Sequence, residues 1–428
     1  MTDATLTPLG YRPRVVDDRL DVLLNSFGGV EITGAKWCGK TWTALAHARS
    51  ADNLDDAETF EAALVDPRLV LQGEEPHLVD EWQEAPRIWD AARRFIDAQG
   101  GRKGQLILTG SSAPKSTDIH HSGTGRFGKV RMRPMSLFES GNSTGEISLR
   151  SLFDGEFVSA RANTEVAEVA RWCCRGGWPS IIELEDEYAL ETPKAYIESV
   201  LEVSVPSAGK SSETARRLMR ALAANACQAV TYATLAKDMG GGDEQGAPTR
   251  ITIESYNDLL EDLYLIESLP GWEPPLRSKR RLRTKPKRTF ADPSLAAALL
   301  GATPSRLQRD MQTLGCLFEN LCLRDVRVYF SAVGEGRVSY FRNDKGLEVD
   351  AVLELGDGRW GAFEVKLSEG KVTDESAGKL LKMRDMVLSN AAAQIEPPSF
   401  LALLVGSGKF AYRRDDGVLV VPIALLGP

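Results

Sequence analysis

The sequence is poor in the residues that build metal centres and covalent cross-links. Its four histidines (His47, His77, His120, His121) are too few and too scattered for a multi-histidine site. Six cysteines (Cys38, Cys173, Cys174, Cys227, Cys316, Cys322) include no C-x-x-C pair, which argues for reduced thiols rather than a disulfide frame or a zinc site. No apolar run approaches the roughly 18 residues of a membrane span, and the opening MTDATLTPLGYRPR has no signal-peptide core. An excess of positive charge is missing too. Against 60 acidic side chains stand 52 basic ones, a net charge of −8, so a basic nucleic-acid coat is excluded while a local patch is not. These absences lead to the expectation of a cytoplasmic protein with no membrane partner.

What is present is ordinary globular material. The 428 residues are 43% hydrophobic and 26% charged, and at roughly 150 residues per domain they make about three domains. From residue 11 to 139, short apolar strands (30–32, 77–79, 106–108) alternate with helical segments, the rhythm of a parallel α/β sheet. From 157 to 269 the pattern turns helical. Leu218, Met219, Leu222 and Ala223 form a helix-period stripe, and two more helices, 231–239 and 253–265, are separated by Gly240, Gly241 and Gly242. Three such helices fit a winged-helix or helix-turn-helix unit, with a plain helical lid as the alternative.

The stretch from Arg277 to Arg288 holds eight basic residues in twelve. It is suited to phosphates, or equally to being a solvated basic loop or to pairing with the acidic surface of a neighbouring subunit. Beyond Phe290 the texture is α+β, with a helix at 314–328 and strands at 338–341, 347–355, 360–367, 400–405 and 418–422. The expected organisation is therefore an ATPase-like α/β domain (1–156), a helical, winged-helix-like domain (157–272), a basic linker (273–289) and an α+β domain (290–428).

One motif is decisive for chemistry. Gly34, Ala35, Lys36, Trp37, Cys38, Gly39, Lys40 and Thr41 match G-x-x-x-x-G-K-[ST] at every fixed position, after a strand and before a helical segment at 41–49, with Trp42 counted among the nucleotide-binding residues. The two glycines let successive N–H groups converge on phosphate oxygens, and the helix N-terminus adds its dipole. Lys40 is expected on the β/γ-phosphates and the Thr41 hydroxyl on Mg²⁺. Some forty residues on, strand 77–79 ends in Asp80 and Glu81. Asp80 suits Mg²⁺ and Glu81 suits the base that polarises a lytic water. Strand 106–108 then delivers Thr109, Gly110, Ser111 and Ser112, with Ser111 in a sensor's place. Arg126 is the candidate cation over the developing charge, reaching a neighbour's nucleotide from a flexible segment, and Arg131, Arg133 and Arg175 compete with it.

The order of Tyr11-Arg12-Pro13-Arg14, GAKWCGKT, LVDEWQEAP, LTGSSA, GTGRF, RGGWP, KPKRTFADPSLAAALLG and FEN resembles a prokaryotic ATPase family. Its members pair an AAA-type ATPase domain, of the group numbered fourteen, with a C-terminal domain of unknown function. The resemblance implies ATP and Mg²⁺ as cofactors, a winged-helix section, a C-terminal restriction-endonuclease-like fold and a homo-oligomeric ring, a hexamer, with nucleotide between subunits. It carries over to Lys40, Thr41, Asp80, Glu81, Ser111 and Arg126. Lys36-Trp37-Cys38 departs from the family, whose members tend to carry arginine and small residues there.

A second constellation lies at Asp350, Glu364 and Lys366. Its D-x13-E-x-K spacing suits a β-hairpin that brings two carboxylates around Mg²⁺ with a lysine beside them. It resembles the PD-(D/E)XK nuclease core, with Glu319 as the extra acid on the preceding helix. The expected activity is ATP hydrolysis by an oligomeric motor or switch, with DNA as a candidate partner through the winged-helix region and residues 277–288. The alternatives are an ATP-gated nuclease and a nucleotide-controlled assembly protein.

Overall fold

Parallel strands buried along their whole length need cover on both faces. The computed structural model, which describes residues 5–112, 123–240, 248–273, 285–390 and 395–428, has a sheet with such strands at its centre in the first of two compact units. That unit comprises Met1–Pro134 and Asp262–Tyr264. Strands β1 (Gly29–Gly34), β2 (Ser50–Asn53), β3 (His77–Asp80), β4 (Leu106–Gly110) and β5 (Phe127–Met132) are all parallel, in the order β2-β3-β4-β1-β5. Helix α1 (Asp17–Ser26) precedes β1, and α2 (Lys40–His47), α3 (Ala57–Val65) and α4 (Arg87–Ala98) run between successive strands.

The period of two along each strand divides the core. Val30, Ile32, Leu78 and Ile107 pack with Leu20, Leu23 and Ala44 on one face. On the other face Val79, Leu106 and Leu108 pack with Trp82, Trp89 and Ile96. The Trp89 ring is stacked between Trp82 and Phe127 at centroid separations of 5.1 and 4.7 Å. Strand β4 lies between β1 and β3, so its carboxyl end stands between the end of β1 and Asp80. Strands β2 and β5 carry no clear apolar run. β2 is a polar edge strand (Ser-Ala-Asp-Asn), and β5 puts Lys129 outward, where it pairs with Glu31 at 2.9 Å.

The second unit comprises Met135–Glu261 and Leu265–Pro428. Here β6 (Ile147–Ser148) pairs with β15 (Leu426–Gly427), and β7 (Ala160–Thr164) pairs with β13 (Phe400–Arg413). Helices Ser212–Ala224, Tyr232–Gly240 and Arg250–Asp262 are followed by the antiparallel pair β8 (Ile266–Leu269) and β9 (Lys287–Phe290). After helix Met311–Val333 come β10 (Gly336–Arg342), β11 (Glu348–Leu355) and β12 (Trp360–Ser368). Helix Asp374–Leu388, β13 and β14 (Leu419–Pro422) follow, before β15 ends the element order. The sheet reads β10-β11-β12-β13-β14, antiparallel in its first two joins and parallel in the last two. Trp272, Val349, Trp360, Leu380 and Leu403 lie at its core.

Residues 157–272 and 290–428, which differ in sequence texture as separate domains would, thus share one unit, and the first unit ends at Pro134 rather than near 156. Buried polar bonds account for the union. Arg324, 2% exposed in its side chain, pairs with Asp292 and Asp325 at 2.7 Å each. Asp292 also accepts the Gly177 N–H at 3.0 Å, and Ser294 accepts the Trp178 indole N–H at 3.0 Å. The RGGWP and ADPS segments are therefore one joint. Among the described residues no helix is long and apolar enough to cross a membrane.

Gly177 is fixed at that joint by close backbone approach, since a Cβ there would stand 2.0 Å from the Met135 carbonyl oxygen. Gly177→Ala is expected to lower stability by about 2 kcal/mol or more, read as an earlier thermal transition by circular dichroism.

Candidate functional site

The loop from Gly34 to Thr41 leaves β1 and enters α2 through two left-handed residues, Trp37 (φ 62°) and Gly39 (φ 101°). Gly34 is held against β5, where a Cβ would stand 2.3 Å from the Met132 carbonyl oxygen. Lys40 is 4% exposed, and its ammonium donates to the Ala35 carbonyl at 3.0 Å. The bulk of Lys36-Trp37-Cys38 does not fold inward as a block. Cys38 is buried in the core beneath the loop, while Trp37 and Trp42 are 47% and 48% exposed.

The Tyr11-Arg12-Pro13-Arg14 motif braces this loop, a role that its sequence does not announce. The buried Arg14 guanidinium donates from Nη1 to the Cys38 carbonyl and from Nη2 to the Arg133 carbonyl, each at 2.8 Å. Tyr11 donates its hydroxyl to Asp17 at 2.7 Å, and burial raises its phenol above the ordinary range.

Asp80 closes β3 and is buried. It accepts from the Thr41 hydroxyl at 3.1 and 3.0 Å on its two oxygens, and from the Thr109 hydroxyl. Burial pushes its carboxyl up, against the lowering effect of those Thr109 and Thr41 bonds. Glu81 stands at φ 55°, a left-handed conformation uncommon outside glycine, and its N–H donates to Thr109 Oγ1 at 3.1 Å. Its carboxylate accepts from the Ser111 hydroxyl at 2.8 Å and from the Gln83 amide. Thr109 thus joins the two acids. Spacing singles out neither Thr109 nor Gln83, because a hydroxyl two residues before the expected sensor and an amide after the acid pair carry no motif of their own.

The arginines are spread out. Arg126 is not on a loose segment. It closes a turn by donating its N–H to the Gly123 carbonyl at 3.0 Å, and its guanidinium pairs with Asp97 of α4 at 3.0 Å. Its carbonyl accepts the Gly29 N–H at 3.0 Å, so it lies at the amino edge of the sheet, opposite the loop. Arg131, near the carboxyl end of β5, stacks on the Tyr264 ring at 5.0 Å, and the Arg133 carbonyl is taken by Arg14. Arg175, in the second unit, is half-buried, and its Nε meets no acceptor; burial lowers its pKa.

The second constellation is assembled in the second unit. The β11–β12 register pairs Ala351 with Phe363, which sets Asp350 across from Glu364. Into this cluster comes Lys287 of β9, a residue that D-x13-E-x-K spacing does not predict. Its ammonium stands 2.9 Å from Glu319, 2.7 Å from Glu348 and 3.3 Å from Asp350. Glu364 instead accepts from Lys366 at 2.7 Å and Lys379 at 3.0 Å. Burial alone would lower the Lys287 pKa, but Glu319, Asp350 and Glu348 together raise it. The Arg342 guanidinium stands 3.6 Å from Glu348, so four carboxylates face four basic groups. Burial, reinforced by the charge of Asp350, raises the Glu319 carboxyl to about 8, against the lowering effect of the Lys287 ammonium beside it.

The basic stretch is only partly described, since Arg277, Lys279, Arg280, Arg281 and Arg283 lie outside the described residues. Lys285 is exposed. Eight free cations are ruled out by burial, because Lys287 and Arg288 are 1% and 7% exposed. Arg288 donates to the Asn257 amide oxygen at 2.8 Å and stacks on Tyr232 at 4.7 Å.

Residues 28–140 match a family model described as an AAA domain. The first unit has the α/β fold of a P-loop ATPase. Residues 166–306 and 314–426 match models described only as domains of unknown function (DUF8612 and DUF4143). No curated protein matches in sequence. Among solved structures, the chain is similar to a Walker-type ATPase of Pyrococcus abyssi at 13% identity, covering 70% of this chain and 99% of that one, with a TM-score of 0.43. The ORC2 protein of Aeropyrum pernix, in ADPNP–ADP complexes, matches at 13% identity over 72% of this chain and 99% of its own, TM-score 0.32. A replication initiator DnaA bound to AMPPCP and single-stranded DNA matches at 13% identity over 58% and 86%, TM-score 0.26.

Because the folded Glu319 carboxyl (about 8) lies above its ordinary value of 4.5, the folded chain binds the extra proton. Its stabilisation is complete below about 4.5 and is lost as pH rises through about 8. The denaturant midpoint is expected to fall across that window, and Glu319→Gln to flatten the fall.

Proposed function

We propose that this chain binds ATP with Mg²⁺ in its first unit and hydrolyses it as an AAA-type ATPase acting in a homo-oligomeric ring, a hexamer. One observation carries the reading: an unbroken chain of hydrogen bonds from Thr41 through Asp80 and Thr109 to Glu81 and Ser111. It joins the hydroxyl at the start of α2 to an acid pair at the end of β3. The loop N–H groups and Lys40 would hold the phosphates. The Thr41 hydroxyl and the Asp80 carboxylate, 3.0 Å apart, are the hard oxygen donors that suit Mg²⁺. When bound, the ion neutralises charge on the β- and γ-phosphates. Glu81 accepts the proton of the attacking water, aimed by Ser111 and Gln83.

Arg126 serves a neighbour in this account. It lies at the other end of the six-residue strand β1, roughly 16 Å from its own loop at strand rise. Nucleotide at subunit interfaces makes that placement useful, and the motor or switch follows from opening and closing those interfaces.

The three helices with the β8–β9 pair support a winged-helix reading of the middle segment, with the basic connection as the part that would meet DNA phosphates. The order helix, three strands, helix, strand from Met311 to Arg413 supports a restriction-endonuclease-like fold for the C-terminal segment.

Lys40→Ala is expected to abolish ATP binding, read by Trp37 and Trp42 emission, and turnover with it. Glu81→Gln should still bind ATP while turnover falls about 100-fold or more; full turnover in that variant refutes the choice of base. Arg126→Ala should bind ATP and lose roughly a thousandfold in turnover. Mixing it with Lys40→Ala should restore activity, since each supplies what the other lacks across an interface; no recovery would remove Arg126 from the site.

A further inference from the structure

A nuclease of the kind that the Asp350–Glu364–Lys366 spacing resembles needs a divalent cation, and the residues around it do not fit one. Mg²⁺ takes near-octahedral oxygen ligands at about 2.0–2.1 Å. Most acidic oxygens of this cluster are already engaged by protein groups, and Glu319 Oε2 and Glu364 Oε2 are the exceptions. Lys287 Nζ meets Glu319, Glu348 and Asp350 at 2.7–3.3 Å, with the carboxylates gathered about a charge of one rather than two. The second Asp350 oxygen accepts the Val365 N–H at 2.9 Å. The second Glu348 oxygen faces the Arg342 guanidinium at 3.6 Å, and Glu364 Oε1 holds both Lys366 and Lys379, which leaves Glu364 Oε2 as a buried acceptor without a donor. Two leftover oxygens, on Glu319 and Glu364, are too few for a hard dication that takes six ligands, and any ion placed among these acids would also face the Lys287 ammonium.

Nor is Lys287 a side chain that swings freely. It is 1% exposed on strand β9, whose register pairs it with Leu269. Its neighbour Arg288 is anchored to Asn257 at 2.8 Å. Withdrawing the ammonium would strand three half-buried carboxylates facing one another, which is unfavourable.

We propose that Lys287 is a built-in counter-ion standing where a nuclease would hold its metal, so that the C-terminal segment of the second unit is a metal-free module that does not cleave nucleic acid. This deepens the restriction-endonuclease-like reading and rests on it only for the expectation of a metal. The proposal has a positive corollary. Removing the ammonium leaves Glu319, Glu348 and Asp350 facing a cation-sized space, and a cation site should appear where the natural chain has none.

Terbium(III) is a suitable probe on the full-length chain without nucleotide, because the Tyr340 ring lies 5.3 Å from Lys287 Nζ and would sensitise an ion in its place. The natural chain should show no sensitised emission that Asp350→Asn removes, and no Mn²⁺-dependent DNA cleavage. Lys287→Ala, or Lys287→Met which keeps the volume, should raise sensitised emission about tenfold or more at equal Tb³⁺, and adding Asp350→Asn should abolish the gain. If either Lys287 variant folds but gains no Tb³⁺ emission, the proposal fails. It fails equally if the natural chain binds Tb³⁺ or cleaves DNA in a manner that Asp350→Asn removes. Should both Lys287 variants be unfolded, the comparison of natural chain with Asp350→Asn decides alone. A loss of ATP turnover with these cluster results unchanged would bear on the first unit only.

Discussion

The buried carboxylate of Asp80 is the point on which the first unit turns. It is held by two hydroxyls from different elements, Thr41 at the start of α2 and Thr109 at the end of β4. A buried carboxylate is tolerated only when its oxygens are bonded, so Asp80 ties the phosphate-binding loop to the strand inserted beside it. The strand order makes this unavoidable. With β4 between β1 and β3, any hydroxyl at its carboxyl end is pressed against the acid pair. Glu81 then adopts its left-handed conformation with its N–H on Thr109, and its carboxylate swings to Ser111 and Gln83.

The placement of residues at this centre is largely legible in the sequence. Gly34 to Thr41, Asp80 and Glu81 announce themselves because loop, helix start and strand end need those residue types in that order. The support is not legible in the same way. Arg14 sits 24 residues before the Cys38 carbonyl it braces, and long-range bonds of that kind leave no local pattern. Strand β2 is hidden because an edge strand of Ser-Ala-Asp-Asn has no apolar period to read. The glycines around Arg126 suggest a flexible segment, but its turn is closed by hydrogen bonds and an ion pair to Asp97.

In the second unit, spacing locates the hairpin but not its centre. Asp350 and Glu364 do stand across from each other, as alternation along β11 and β12 requires. The cation among the acids comes from β9, outside that hairpin, from a lysine whose basic neighbours give it the look of a linker residue. The same strand spends its next residue, Arg288, on Asn257 and Tyr232. A run of positive charge is thus partly consumed as internal counter-charge, which composition alone cannot reveal. The joint between RGGWP and ADPS likewise turns an expected domain boundary into a packed interior.

The central claim is that an ATP-hydrolysing site is built in the first unit and completed by a neighbouring copy. The most direct test is Mg²⁺-dependent phosphate release from ATP, per subunit, across protein concentration, with and without double-stranded DNA. The account predicts turnover per subunit that rises with concentration and then levels off as interfaces fill. Turnover that stays constant down to the monomer, or its absence at every concentration despite bound ATP, would contradict it.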